Sequence, residues 1–135
     1  MKRIVCLIIV MAMLIVSPVW TQETGRVIRA TSFILEDDQG RERAELGMTP
    51  AGPGLLLYNE NGEIGIMIIL EKEGSGLILC DELGEIRIIL SVEKEGPILE
   101  LYDENGELRI VLSVDEKWTG LALCDKNGRI IWKEQ

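Results

Sequence analysis

Histidine is absent from this 135-residue sequence, and aromatic residues make up only 4% of it. Without histidine the chain lacks the commonest general base, the Ser-His-Asp and Cys-His arrangements, and the usual ligand of zinc and copper. It has neither a glycine-rich phosphate loop nor a G-x-S-x-G motif. Carboxylates alone could catalyse a reaction, yet the acidic residues recur at turn positions, which an enzyme with one site does not need. We therefore expect a protein that is not an enzyme and that uses no cofactor.

Basic residues are also scarce, because 14 lysines and arginines stand against 23 aspartates and glutamates, giving a formal charge of −9. This charge disfavours nucleic acids and anionic membrane surfaces as partners, since both would be repelled. With few aromatics and 47% apolar residues, the core must be built from leucine, isoleucine and valine. Such β-branched content favours sheet over helix, and the length suits one domain.

Residues 1–21 have the composition of a targeting segment. Two basic residues precede an unbroken apolar run of 13 residues, 4–16, which a Ser-Pro pair ends. A membrane-spanning helix needs about 20 apolar residues, whereas the apolar part of a secretory signal has roughly 7–15. The run therefore fits a cleaved signal peptide better than an uncleaved membrane anchor, although no A-x-A cleavage pattern is present. Either interpretation predicts that residues 22–135 are exported and are periplasmic, extracellular or anchored outside the cytoplasmic membrane.

One pattern recurs five times at a constant spacing of 22 residues. Each copy has two alternating apolar residues, then Asp or Asn, two variable residues and glycine, and then a second alternating apolar run. The repeats are 32–53, 54–75, 76–97, 98–119 and a partial 120–135, and they form one domain, 22–135. The glycines that we assign to structural turns are Gly40, Gly62, Gly84, Gly106 and Gly128.

The D-x-x-G step predicts a tight turn between two strands. A type I turn favours Asp or Asn first and Gly fourth, and the Asp side chain accepts hydrogen bonds from backbone N–H groups further on. The flanking runs alternate with period two, as strands do, and a looser turn such as EKEG returns the chain to the next repeat. We predict an all-β fold, an antiparallel meander of about ten strands built from five 22-residue β-hairpins.

Alternation also predicts the pairing within a hairpin. With a two-residue loop in DENG, Leu101 faces Leu108 and Glu100 faces Arg109, so that apolar and charged pairs lie on opposite sides of the sheet. A shift of one residue would place Leu101 opposite Arg109 and mix the two sides, which a buried apolar face forbids. The two-residue loop is therefore the predicted register.

The predicted meander has one uniformly apolar face and one mixed face. The apolar face must be covered, because an exposed sheet of this hydrophobicity would aggregate. The sheet can curl into a barrel, fold into a sandwich or press against a second copy, whereas hairpin turns make a solenoid less favourable. The mixed face keeps Leu56, Tyr58, Met67 and Ile69 in the second repeat, which indicates a subunit contact. We expect an unknown protein partner or self-association through a sheet face, and contact with a membrane only through an uncleaved N-terminal segment.

The acidic turns are the nearest feature to a metal site. Oxygen ligands are those that calcium prefers, but a full calcium loop needs about six ligand positions and ends in a bidentate acid. DENGE supplies about half of such a set, and the residue equivalent to the final acid is Val114. We interpret the turns as structural and expect no metal; the weak candidate ligands are Asp81, Asp103, Asn105 and Asp125.

Cys80 and Cys124 occupy the repeat position that Tyr58 and Tyr102 hold in other copies. They are four strands apart, or roughly 19 Å in an open sheet, and a disulfide tolerates a Cα separation of only ~7 Å. A disulfide would therefore require the sheet to close. Otherwise both residues are free, half-buried thiols.

The segment FILEDDQGRERAEL, the later L-x-L-x-D-x-x-G units and the final IIW together resemble uncharacterised prokaryotic exported proteins that carry a leader and tandem repeats of this kind. The resemblance covers nearly all of the chain after the leader and implies no activity. Hairpin repeats of the MORN type are similar in length and turn only, because their Tyr-x-Gly and Trp signature is missing here.

We therefore expect an exported, non-catalytic structural or protein-interaction module of the cell envelope. A first alternative is a domain that holds a small apolar ligand inside a closed barrel or sandwich. A second alternative is a weak, cation-dependent adhesive module that uses the acidic turns.

Overall fold

The computed structural model of the protein describes residues 27–116 and 118–134, which form one ten-stranded antiparallel sheet in sequence order. The predicted all-β meander is thereby confirmed. The predicted targeting segment, residues 1–21, lies outside the described residues. The strands are β1 (Ser32–Glu36), β2 (Glu42–Met48), β3 (Pro53–Tyr58), β4 (Ile64–Leu70), β5 (Ser75–Cys80), β6 (Ile86–Val92), β7 (Pro97–Tyr102), β8 (Leu108–Val114), β9 (Thr119–Cys124) and β10 (Ile130–Glu134).

The sheet is a single open layer. Within the described residues, each strand contacts only its neighbours in sequence, and β1 does not meet β10. Of the three arrangements that the sequence left open, residues 27–116 and 118–134 by themselves adopt neither the barrel nor the sandwich. No helix among the described residues has the length and apolar character needed to span a membrane.

Pairing across the hairpin turns differs from the predicted register by two residues. Leu101 pairs with Ile110, two residues beyond its predicted partner, and Glu100 pairs with Val111 rather than with Arg109. The predicted pair of opposite charges is therefore wrong. A two-residue difference retains the alternation, so each of these strand residues keeps its predicted face.

The length of the turn explains this difference. Gly106 donates its N–H to the Asp103 carbonyl oxygen at 3.0 Å, and Asp103 donates to the Glu107 carbonyl oxygen at 3.0 Å. Gly106 has a φ of 78°, in the left-handed region that favours glycine. A further irregularity falls between Leu101 and Tyr102, so the loop occupies more residues than predicted. All five repeats close in this way, with positive φ at Gly40, Gly62, Gly84, Gly106 and Gly128.

Four connectors at the opposite edge return the chain from one hairpin to the next: 49–52, 71–74, 93–96 and 115–118. In each, the first residue donates its N–H to the carbonyl oxygen of the fourth at 2.8–3.0 Å. The fourth residue is glycine in three connectors, where a methyl group would overlap a carbonyl oxygen of a paired strand; for Gly96 this is the oxygen of Val114. In the last connector the fourth residue is Trp118, whose ring lies against Gly120.

Candidate interaction face

One side of the sheet, which we call the leucine face, is predominantly apolar and carries Glu134 in the last strand, opposite Leu121. Cross-strand pairs place its residues in continuous rows perpendicular to the strands. Between Pro53 and Cys124, no residue in these rows is charged. The face comprises Phe33, Leu35, Ala44, Leu46, Met48, Leu55, Leu57, Ile66, Ile68, Leu70, Leu77, Leu79, Ile88, Leu90, Val92, Leu99, Leu101, Ile110, Leu112, Val114, Leu121, Leu123 and Trp132.

Side chains on the leucine face differ in solvent exposure from strand to strand. In one row, the residues on β2, β4, β6 and β8 are 42–52% exposed, whereas their partners on β3, β5, β7 and β9 are half-buried. Further along the same even strands, Met48, Leu70, Val92 and Val114 are exposed as well. The face therefore carries ridges along β2, β4, β6 and β8 that are separated by shallower strands. The row members are Leu46, Ile68, Leu90 and Leu112.

The other side, the mixed face, is better protected within the chain. Ser113, Ala122 and Cys124 are buried there, although no second layer covers the described sheet. The Tyr102 hydroxyl donates to a Glu100 carboxylate oxygen at 2.8 Å. Burial, together with this carboxylate, raises the pKa of Tyr102 to about 12. An open groove of about 390 Å³ crosses this face and is bordered by connector residues such as Glu71 and Glu93.

The five hairpin turns form a polar edge in which the aspartates are already bonded. One carboxylate oxygen of Asp103 accepts the N–H groups of Asn105 and Glu107 at 2.9 and 3.1 Å, and the other lies 3.1 Å from the Arg109 guanidinium. The N–H of Glu107 holds the pKa of Asp103 below its usual value against the opposing effect of burial, and Asn105 and Arg109 add to this. Asn59 accepts the two equivalent N–H groups in the second repeat.

Side chains also tie each of the central turns to the next. The Asn59 amide donates to the Glu82 carbonyl oxygen at 2.9 Å. Arg87, which pairs with Asp81 at 2.5 Å, donates to the Asp103 carbonyl oxygen at 2.7 Å. These ties satisfy turn carbonyls with donors from the preceding repeat, so the edge is held by internal bonds.

The weak metal candidates do not converge. Asp81, Asp103 and Asp125 lie at equivalent positions of successive turns, two strands or roughly 9.6 Å apart. Ligands of one calcium ion must each lie within about 2.6 Å of it. Among the described residues, no group of three or more acidic or cysteine side chains is placed to hold a metal ion. Asn105 contributes its backbone N–H to Asp103 rather than an oxygen to a shared site.

Millimolar calcium is expected to leave the melting temperature of the protein unchanged. The carboxylate oxygens that could bind it already accept backbone N–H groups and, at Asp81 and Asp103, arginine. Thermal unfolding with calcium and with a chelator measures this directly, and magnesium serves as the control for ionic strength. A rise of several degrees with calcium alone would contradict the structural interpretation of the turns.

Both cysteines of the described sheet carry free thiols. Cys80 lies on β5 and Cys124 on β9, with three strands between them in a sheet that does not close. Burial is the main cause of a raised pKa at Cys80. The closure that an intramolecular disulfide would require is not present in the described residues, and the same holds for the closed barrel of the ligand-binding alternative.

The sequence identified the leucine face but not the exposed ridges on it or the ties between turns. Ridges depend on how far each strand is covered by its neighbours, which alternation does not encode. The ties join residues about 15 to 23 positions apart in the sequence. The second repeat has Gly65 at the position that Arg87 and Arg109 hold in later repeats, and it has Asn59 in place of the turn aspartate. Comparison with models of protein families and with curated proteins gives no match to this chain.

Proposed function

We propose that the protein is an exported, non-catalytic structural or interaction module of the cell envelope, and that the leucine face is its working surface. The observation that carries this proposal is an apolar face, uncharged from β3 to β9, that no described residue covers. Isolated soluble domains rarely expose a continuous apolar patch above about 300–600 Å². Such a face is stable in water only when another surface covers it.

The size of the exposed part supports this. Eleven side chains on the leucine face are more than 40% exposed. At roughly 150 Å² for a fully exposed large side chain, they present on the order of 800 Å². This is about the area that each partner contributes to a standard protein–protein interface. The surface is therefore large enough for stable binding of another protein.

Export is the second part of the proposal and rests on the sequence alone. The basic start and the apolar run of 13 residues are typical of a secretory signal, and the negative repeat domain disfavours retention on nucleic acids. The absence of histidine from the sequence, and of any group of side chains placed to hold a metal ion among the described residues, supports a non-catalytic role.

Site-specific photo-crosslinking in the cells that make the protein tests the working surface. A photoreactive amino acid in place of Leu90, on the leucine face, is expected to give a covalent adduct of defined mass. The same group in place of Glu104, exposed at a hairpin turn, is the control and is expected to give none. If Leu90 and Leu112 both gave no adduct, the leucine face would not be a working surface and the proposal would fail.

A further inference from the structure

We propose that the occupant of the leucine face is a second copy of this chain, packed face to face about a two-fold axis into a two-sheet sandwich. This inference rests on the proposed function and names the partner. Two sheets of identical twist pack with their strands roughly 30° apart and about 10 Å between layers, with side chains of the two inner faces interdigitating. A two-fold interface requires a surface that is complementary to itself.

The ridges supply that self-complementarity. Leu46, Ile68, Leu90 and Leu112 are more exposed than their neighbours on β3, β5, β7 and β9, and they repeat every two strands, or roughly 9.6 Å. With the two-fold axis parallel to the strands and between β5 and β6, β2, β4, β6 and β8 of one copy lie over β9, β7, β5 and β3 of the other, so that the ridges of each copy meet the shallower strands of its partner.

The charge distribution also favours an identical partner. A chain with a formal charge of −9 would repel a second copy if its charges lay on the contact surface. The leucine face has no charged residue between Pro53 and Cys124, so that two copies can meet there without burying one. Between Pro53 and Cys124 the acidic residues lie at the turns and connectors, where they remain in water, except Glu100 on the mixed face.

The edges of the sheet are less suited to pairing than its face. β10 carries Lys133 and Glu134, and β1 has only five residues and ends in Glu36. Short, charged edge strands are a common protection against strand-to-strand association. Pairing of β1 with β10 of another copy would also be head-to-tail and would extend into filaments rather than stop at two copies. Packing through the leucine face stops at a dimer.

Light scattering on the purified protein, in the processed form that accumulates in cells, tests the proposed dimer. The wild type is expected to have twice the mass of one chain, and Leu90→Lys the mass of one. Lysine lowers the net negative charge, so that loss of the dimer cannot come from added repulsion. Ile34→Lys, on the mixed face at 50% exposure against 45% for Leu90, is the matched control and is expected to remain dimeric.

Two further measurements cover the case in which Leu90→Lys does not fold. The melting temperature of the wild type is expected to rise with protein concentration, as it must when the folded state is a dimer. Added salt is expected to tighten the dimer by screening the like charges of the two copies, whereas it would weaken binding of a basic partner. A monomeric wild type whose melting temperature does not change over a hundredfold range of concentration would overturn the inference.

The remaining outcomes separate this inference from the proposed function. Polydisperse masses above two chains would indicate edge pairing and would overturn the face-to-face dimer. A photo-crosslink from Leu90 to a different protein would leave the proposed function standing and overturn the second copy as occupant. An adduct of twice the chain mass, together with the loss of the dimer in Leu90→Lys alone, supports both.

Discussion

Deletion of residues 57–78, one complete repeat length, is expected to give a folded protein with eight strands and one cooperative unfolding transition. The deletion joins Leu56 to Leu79 within a strand, and each residue of the hybrid strand keeps the face and the partners of its equivalent. Leu79 then pairs with Ala44, the partner that Leu57 has in the intact chain, and retains Ile88. Because strands contact only their neighbours in sequence, the contacts between the remaining strands are kept, and the bond from Asn59 to Glu82 is lost with the deleted turn.

Deletion of residues 58–78, shorter by one residue, is the matched control and is expected to be far less stable. The extra residue, Leu57, moves every later side chain of the hybrid strand to the other face of the sheet. The hybrid strand can then place its side chains on the same faces as their partners in β2 or in β6, but not in both. Circular dichroism during heating is expected to show a melting temperature at least ~10 °C below that of the 22-residue deletion. Equal melting temperatures would show that face alternation does not hold the sheet together.

Replacement of Gly96 by alanine is expected to destabilise the protein by about 3 kcal/mol. Gly96 ends a connector with a φ of 144°, and a methyl group there would overlap the carbonyl oxygen of Val114 and approach the carbonyl carbon at 3.0 Å. Both atoms belong to the backbone of a paired strand, so relief requires that the strand move. Urea unfolding of the two proteins measures the difference.

Gly106→Ala separates this overlap from the cost of the backbone conformation alone. Gly106 also has a positive φ, 78°, but no atom lies within 4 Å of an added methyl group. The left-handed conformation costs an L-residue about 1 kcal/mol, so Gly106→Ala is expected to lose only that much. Equal losses at Gly96 and Gly106 would show that backbone conformation, not overlap, sets the requirement for glycine in the connectors.

Trp118 shows why the connector rule is broken once. It holds the position of Gly96 one repeat later, and its φ is not positive. Without a positive φ the position can carry a side chain, and the ring of Trp118 packs against Gly120.

The strand order and the two faces followed from the sequence because both depend on features that recur every 22 residues. The register did not, because loops that differ by two residues satisfy the same alternation. The signal was nonetheless present, since a glycine such as Gly106 after an Asx turn is typical of hairpin loops with a left-handed residue and a bulge. A loop of that type predicts Ile110, rather than Leu108, as the partner of Leu101.

Closure of the sheet could not be predicted from local pattern. Whether ten strands close depends on accumulated twist and on contacts between the first and last strands, and neither leaves a periodic trace in the sequence. The ties between turns were missed for a related reason, since the bond from Arg87 to Asp103 depends on how successive hairpins stack. The exposed ridges, which carry the interaction proposals, likewise become visible only once the strands are placed beside one another.

The single layer with neighbour-only contacts has a mechanical consequence. The chain runs strand by strand from β1 to β10 across nine gaps, a span of roughly 43 Å. A force that pulls β1 and β10 apart loads the hydrogen bonds of an outer strand one after another rather than all at once. A single chain of this shape would therefore extend at low force in steps of one strand. A second sheet packed against it would require several strands to separate together, and the dimer would therefore resist extension more strongly than the single sheet.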